Sequence, residues 1–287
     1  MGVTIIGCGD IGTRLAVAYQ KSAFDVTGWV ATGESVGRLQ QQGIGALQIN
    51  LDQTSPQTGS LAGELLFYFV PPPASGVEDG RVRRLIESLD QAEPPQKVVY
   101  LSTSGVYGDC QGVWVDETRQ PRPTVDRAKR RLDAEQQWQS WSQQRGVPLV
   151  ILRVAGIYGP GKLPVERLRQ GLPMVAEVDS PITNHIHSLD LVEIAATAME
   201  RGRDGAIFNV CDGQPESMTR YFNRVADYLE LPRPPQISMQ EARQQLSPGM
   251  LSYLAESRRL SNRKLLEELG VVLRYPELEQ GLPACFE

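Results

Sequence analysis

The first twelve residues constrain this chain more than any other stretch. Val3-Thr4-Ile5-Ile6 is a short apolar run that leads directly into Gly7-Cys8-Gly9-Asp10-Ile11-Gly12, a Gly-x-Gly-x-x-Gly spacing. The order describes a buried strand, a tight turn and the start of a helix, which Thr13 to Tyr19 continues with an apolar face. In such a turn Gly7 permits the sharp exit from the strand, Gly9 lets backbone approach a diphosphate, and Gly12 lets the helix pack on the sheet. Unpaired N–H groups and the positive helix end then point at the anion, with Asp10 and Ile11 in the same loop. Glycine turns are common, so it is the flanking strand and helix that make this one a nucleotide site rather than a plain turn.

Apolar segments of strand length recur through the first half: 25–30, 46–49, 65–70, 97–102 and 149–152, with a further one at 206–211. Helical spacing of apolar residues lies between them at 77–92 and 126–144, and later at 189–201 and 217–229. Near-continuous hydrophobic strands separated by helices predict an α/β fold with a parallel sheet covered on both faces. The right-handed crossover rule makes that sheet doubly wound, a Rossmann fold. The expected division is a dinucleotide-binding domain over 1–157 and a smaller substrate-facing region over 158–287, with segments near 183–212 returning to the sheet. Val70-Pro71-Pro72-Pro73 closes the fourth strand where the crevice of such a sheet lies, so Val70 and Pro71 are expected to wall a cofactor.

The 287 residues are 41% hydrophobic and 22% charged, ordinary for a globular chain, and the formal net charge of -5 argues against a nucleic-acid surface. The basic run Arg127 to Arg131 is followed by Asp133 and Glu135, which reads as a solvated helix face. Four scattered cysteines form no C-x-x-C pair, suiting a reducing compartment and giving no zinc signature. With the first strand beginning at once and no apolar run of bilayer length, a cytoplasmic protein without membrane contact is expected.

The fifth strand ends in Ser102-Thr103-Ser104-Gly105-Val106-Tyr107-Gly108, placing hydroxyls where ligands bind in open α/β sheets. The alternative is that Ser102, Thr103 and Ser104 serve only local backbone groups. With the glycine loop, this segment, Arg153-Val154-Ala155-Gly156-Ile157-Tyr158-Gly159-Pro160-Gly161, Asn184 to Asp190, Phe208-Asn209-Val210, Leu269-Gly270 and Tyr275-Pro276, nearly the whole chain resembles the extended short-chain dehydrogenase/reductases, the NAD-dependent epimerase/dehydratases.

That resemblance implies bound NAD or NADP and hydride transfer at a sugar-like or other carbonyl/hydroxyl carbon. It places Thr103 on the reacting oxygen, Ser102 beside the cofactor, and a Tyr-x-x-x-Lys acid/base pair on the next helix. Here the chain departs from the pattern. If Lys129 is the lysine, binding the cofactor, the tyrosine position is Val125; if Arg131 holds it, matched by Glu135, the position is Arg127. Neither is a phenol, and neither valine nor arginine can exchange a proton at neutral pH. Tyr107 and Tyr158 are the nearby phenols, and Tyr107 is taken as the candidate replacement. An oxidoreductase or epimerase with a degenerate catalytic motif is the resulting expectation, against a non-catalytic NAD(P)-binding redox sensor or regulator.

Cofactor choice rests on the end of the second strand. No acid stands there to take the ribose hydroxyls, Glu34 coming late, whereas Thr32, Ser35 and Arg38 suit a ribose phosphate. The residues lean to NADP over NAD. His185 and His187 share a face if extended, but no third ligand accompanies them, so they are assigned to the pocket wall and no metal is expected. Asp190 is expected to begin or cap the following helix. The partner expected is a small-molecule substrate, with a homodimer left open.

Overall fold

The computed structural model describes residues 2–53, 56 and 61–286. Seven parallel strands form its central sheet. From one edge they run β3 (Gly45–Gln48), β2 (Asp25–Val30), β1 (Gly2–Ile6), β4 (Leu65–Tyr68), β5 (Lys97–Thr103), then Leu149–Val154 and Ala206–Val210. Chain order reverses between β1 and β4, and the glycine loop emerges at that switch point, where ligands bind in open α/β sheets. The late strand read at 206–211 thus returns to the main sheet as its far edge.

Strand alternation sorts the side chains between two cores. In β4, Phe67 faces one side with Leu15, Ala16, Leu39, Ile194 and Ala198. Leu66 and Tyr68 face the other with Val82, Leu85, Leu89, Trp138 and Trp141. The first core is covered by α1 (Asp10–Lys21), α2 (Gly33–Gln41) and the Ser188–Arg201 helix. The second is covered by α3 (Gly80–Leu89) and α4 (Asp126–Arg145). Trp138 meets Tyr68 and Trp141 edge-on, with centroids 5.5 Å apart in each pair, an arrangement the ring quadrupoles favour.

Local chemistry sets the element ends. The Asp79 carboxylate accepts from the Arg81 and Val82 amides, so α3 starts at Gly80 rather than at Val77. Gly146 ends α4 in the left-handed conformation, φ 65°. Helix α2 escaped the pattern reading because its nine residues bury only Leu39 and include two glycines. Thr32 caps it, accepting from the Ser35 amide at 3.3 Å.

Beyond the sheet, Tyr158, Leu168, Met174, Tyr221, Phe222 and Leu282 build a separate small core under the Met218–Tyr228 helix. Two short strands, Gly156–Tyr158 and His185–His187, pair in parallel beside it. No helix among the described residues is long and apolar enough to cross a membrane.

Candidate functional site

The glycine loop is built as its spacing requires. Gly7 has φ 86°, and a Cβ there would lie 2.6 Å from the Val70 amide nitrogen, so only glycine lets β1 turn against the end of β4. At Gly12 a Cβ would press on Ile5 and the Gly7 carbonyl at 3.1 and 3.2 Å, which holds α1 close to its strand. The nearest atom to a Cβ at Gly9 is 4.0 Å away, so that face is open. Gly9 is also the N-cap of α1 and makes no side-chain cap, leaving the helix end without an internal acceptor.

A crevice of ≈ 460 Å³ lies over this helix end. Gly7, Gly9, Asp10, Ile11 and Gly12 line it on one side, and Val70 and Pro71 on another. Its far end contains three residues that the sequence reading missed: Asn50, Asp52 and Arg81. Arg81 holds Asp52 through both nitrogens of its fork, at 2.7 and 2.5 Å, and also donates to the Pro71 carbonyl at 2.7 Å. This pairing lowers the Asp52 carboxyl below its usual range. The available signal was that Asn50-Leu51-Asp52 follows β3 as Ala31-Thr32 follows β2, at the same edge of a parallel sheet.

At the end of β2 the structure gathers the expected trio. The Ser35 hydroxyl accepts from Thr32 Oγ1 at 3.0 Å and from Arg38 Nη2 at 2.6 Å. Ser35 lines the crevice, while Arg38 lines an adjoining hollow that also holds Arg14 and Lys21.

Helix α4 corrects two readings. Lys129 does not reach the crevice: it pairs with Asp126 at 3.0 Å on the exposed face. Arg131 turns inward instead, donating to the Val70 carbonyl at 3.0 Å, with the Leu101 carbonyl at 3.2 Å and the Tyr100 hydroxyl at 3.3 Å. Arg130 is buried as well and donates to the Gly76 carbonyl, so the basic run is not a solvated face. Two of its guanidiniums donate to backbone carbonyls. With Arg131 inward and Glu135 one turn on, the residue one turn before Arg131 is Arg127. Arg127 donates to Ser252 Oγ at 2.5 Å and lies over the Tyr253 ring at 4.2 Å, tying α4 to the Pro248–Leu254 helix.

The hydroxyl segment after β5 divides. Ser102 turns away from the crevice and donates to Glu135 Oε1 at 2.6 Å, a carboxylate that also holds Arg153 Nη2 at 2.7 Å inside the protein. It is therefore part of a buried polar network rather than a cofactor ligand. Thr103 caps the short helical turn Ser104–Tyr107, accepting from the Gly105 amide at 3.2 Å, and stays half-buried at the strand end. Tyr107 is 1% exposed, and its hydroxyl donates to Asn209 Oδ1 at 2.8 Å. Burial pushes that phenol up to about 12, so it is unsuited to proton exchange and acts as a core hydrogen-bonding group.

The histidines are buried packing residues. His185 stacks on Tyr221 at 4.0 Å, and His187 packs against Tyr158 and Tyr275 at 5.0 and 4.2 Å. His187, rather than Asp190, caps the Ser188–Arg201 helix, its Nδ1 accepting from the Leu189 amide. Asp190 instead accepts from the Arg274 and Tyr275 amides at 2.7 and 3.0 Å and anchors the C-terminal segment. Among the described residues, no three His, Cys, Asp or Glu side chains converge as a metal set.

Residues 80–211 match the sequence model of the NAD dependent epimerase/dehydratase family. Protein YeeZ of Escherichia coli is 26% identical over 96% of both chains. A conserved protein of unknown function from Silicibacter pomeroyi is 31% identical, with a TM-score of 0.87 over 99% of this chain and 97% of that one. UDP-glucuronic acid 4-epimerase from Bacillus cereus, solved with NAD, superposes with a TM-score of 0.75 at 17% identity over 99% and 97% of the two chains, a likeness of fold. The glycine loop at the switch point, the sheet order and these matches agree: over residues 80–211 the chain matches the NAD dependent epimerase/dehydratase family, and its whole fold is like that of solved epimerases.

Proposed function

We propose that this protein binds NADP in preference to NAD and uses it as an oxidoreductase or epimerase on a small, sugar-like carbonyl or hydroxyl substrate. The observation that carries the reading is the open N-terminus of α1, with Gly9 bare, over a crevice of ≈ 460 Å³. Those residues fit a dinucleotide: amides at a helix start attract the diphosphate, and the absence of a Cβ leaves it room.

When bound, the nicotinamide supplies hydride acceptance and return. Around it, Gly7, Gly9 and Gly12 shape the diphosphate cradle, and Val70 and Leu101 wall the crevice. Thr32, Ser35 and Arg38 offer two hydroxyls and a guanidinium to a ribose 2′-phosphate, a pairing that an acid at the strand end would oppose. Thr103 holds the reacting oxygen of the substrate. Arg127, at the position that the resemblance assigns to the tyrosine, is held by Ser252 and Tyr253 and cannot exchange the substrate's proton. The region from residue 158 onward supplies the substrate-facing wall. Relatives in fold act on nucleotide sugars by name, such as the Bacillus cereus UDP-glucuronic acid 4-epimerase, and these head the substrate panel.

Calorimetry with NAD, NADH, NADP and NADPH, followed by turnover on carbonyl compounds and nucleotide sugars, tests the proposal. Tightest binding of the phosphorylated pair, with turnover abolished in Thr103→Ala, is expected. Binding of none of the four would overturn it.

A further inference from the structure

We propose that Lys162 is a diphosphate-binding residue, carried over the glycine loop by the Gly159-to-Lys162 turn and offsetting the carboxylate of Asp10. The inference rests on the dinucleotide reading above. Among the described residues lining the crevice, the cations are Arg81 and Lys162. Arg81 is already committed to Asp52 and the Pro71 carbonyl at the far end. Of these two, Lys162 is the one at the glycine loop, with its Nζ 3.2 Å from Asp10 Oδ2 and its side chain 29% exposed.

Asp10 makes such a cation necessary. It is the first residue of α1 and lines the crevice, so its carboxylate stands where a diphosphate must sit. The carboxylate favours the helix end when nothing is bound, yet repels a ligand carrying two negative charges. Arg14, 3.0 Å from Asp10 Oδ1, neutralises it from the helix side. Lys162 approaches from the opposite side, out of the loop that follows the Gly156–Tyr158 strand. Its amide donates to the Gly159 carbonyl at 3.0 Å, which fixes the turn. An ammonium on a flexible stem, held by one partly exposed carboxylate, can turn to a diphosphate oxygen within the same crevice. The glycine loop and the region after residue 158 then grip one ligand together.

The test is calorimetric titration of NADP, NAD and ADP-ribose into wild type, Lys162→Gln, Asp10→Asn and the double variant. All three ligands share the diphosphate, so Lys162→Gln should weaken each by ~10-fold, the size of one charge-assisted hydrogen bond. Lys162→Arg should restore most of it, and Asp10→Asn should tighten binding. In the Asp10→Asn background the Lys162→Gln loss should persist. If the loss vanishes there, Lys162 serves only its partner Asp10, and the inference is overturned. Equal affinities for wild type and Lys162→Gln overturn it too, leaving the cofactor reading intact. A wild type that binds none of the three ligands rejects that reading, and the inference with it.

Discussion

The Arg131 guanidinium lies 3.0 Å from the carbonyl oxygen of Val70, so a charge from α4 fastens the end of β4 at the lip of the crevice. The Leu101 carbonyl at 3.2 Å brings β5 into the same hold. Val70 and Leu101 line the crevice beside the glycine loop, where a loose wall would widen it. Arg131→Ala should destabilise the protein by ~1.5–3 kcal/mol, as for loss of a charged hydrogen bond. It should also weaken dinucleotide binding, whereas Arg131→Lys should recover part of both. Chemical denaturation and calorimetry on the same samples would check this.

Glu135 and Arg153 form a buried pair at 2.7 Å, with side chains 1% and 4% exposed. Ser102 completes the carboxylate's shell, and the Arg153 guanidinium lies 4.9 Å from the centre of the Tyr107 ring. Removing one partner leaves a charge uncompensated in the interior, so Glu135→Leu should cost about 3–5 kcal/mol. The double variant Glu135→Leu/Arg153→Met should lose less than the two single changes summed. Urea unfolding of the four proteins measures that coupling.

The fold was legible because it is written in periodicity: four-residue apolar runs and a glycine spacing read the same in any context. The glycine loop, Val70, Pro71 and the Thr32–Arg38 group likewise follow from position along a parallel sheet. Side-chain direction was not legible. Ser102 and Thr103 are neighbours, and strand alternation sends the former into the Glu135 network. Lys129 and Arg131 are two residues apart on a helix, which swings them to different faces, and composition alone cannot say which faces the crevice. Asp52 and Arg81 meet across 29 residues of chain, a contact that no local pattern records.

Two glycines of one motif should fail differently. Gly7→Ala forces a side chain into φ 86° and against Val70, costing about 1–3 kcal/mol of stability. Gly9→Asp has open space and should leave the fold near wild type while placing a carboxylate in the diphosphate cradle. Thermal unfolding without ligand separates the two cases, since only the former should melt early.

Acid should unfold this protein partly through its histidines. Burial lowers His187 to about 4 and His185 to about 3, against 6.5 when unfolded. The unfolded chain binds more protons below that value, so their contribution is complete above about 6.5 and is lost as pH falls toward 4. Asp212 runs the opposite way: burial raises it from 3.8 to about 7, so its contribution declines as pH rises through that window. His187→Gln should flatten the acid limb of stability against pH. Asp212→Asn should gain stability relative to wild type at pH 8 compared with pH 5. Urea midpoints across pH 4.5 to 8.5 would show both.

Arg38 donates to Ser35 at 2.6 Å beside the crevice, and this geometry is the basis for preferring the phosphorylated cofactor. Arg38→Ala should reduce NADP affinity by ~10-fold or more and leave NAD nearly unchanged. Equal losses for both would mean that Arg38 acts on a part the two cofactors share.

The claim on which the rest depends is that the bare start of α1 receives a dinucleotide. Its most direct test is thermal unfolding of wild type and Gly9→Asp with and without NADP at a hundred times its dissociation constant for wild type. Wild type should gain ~5 °C or more, as ~2.7 kcal/mol of binding linkage gives for a chain of this size, and Gly9→Asp should gain nothing. An equal gain in both proteins would contradict the account.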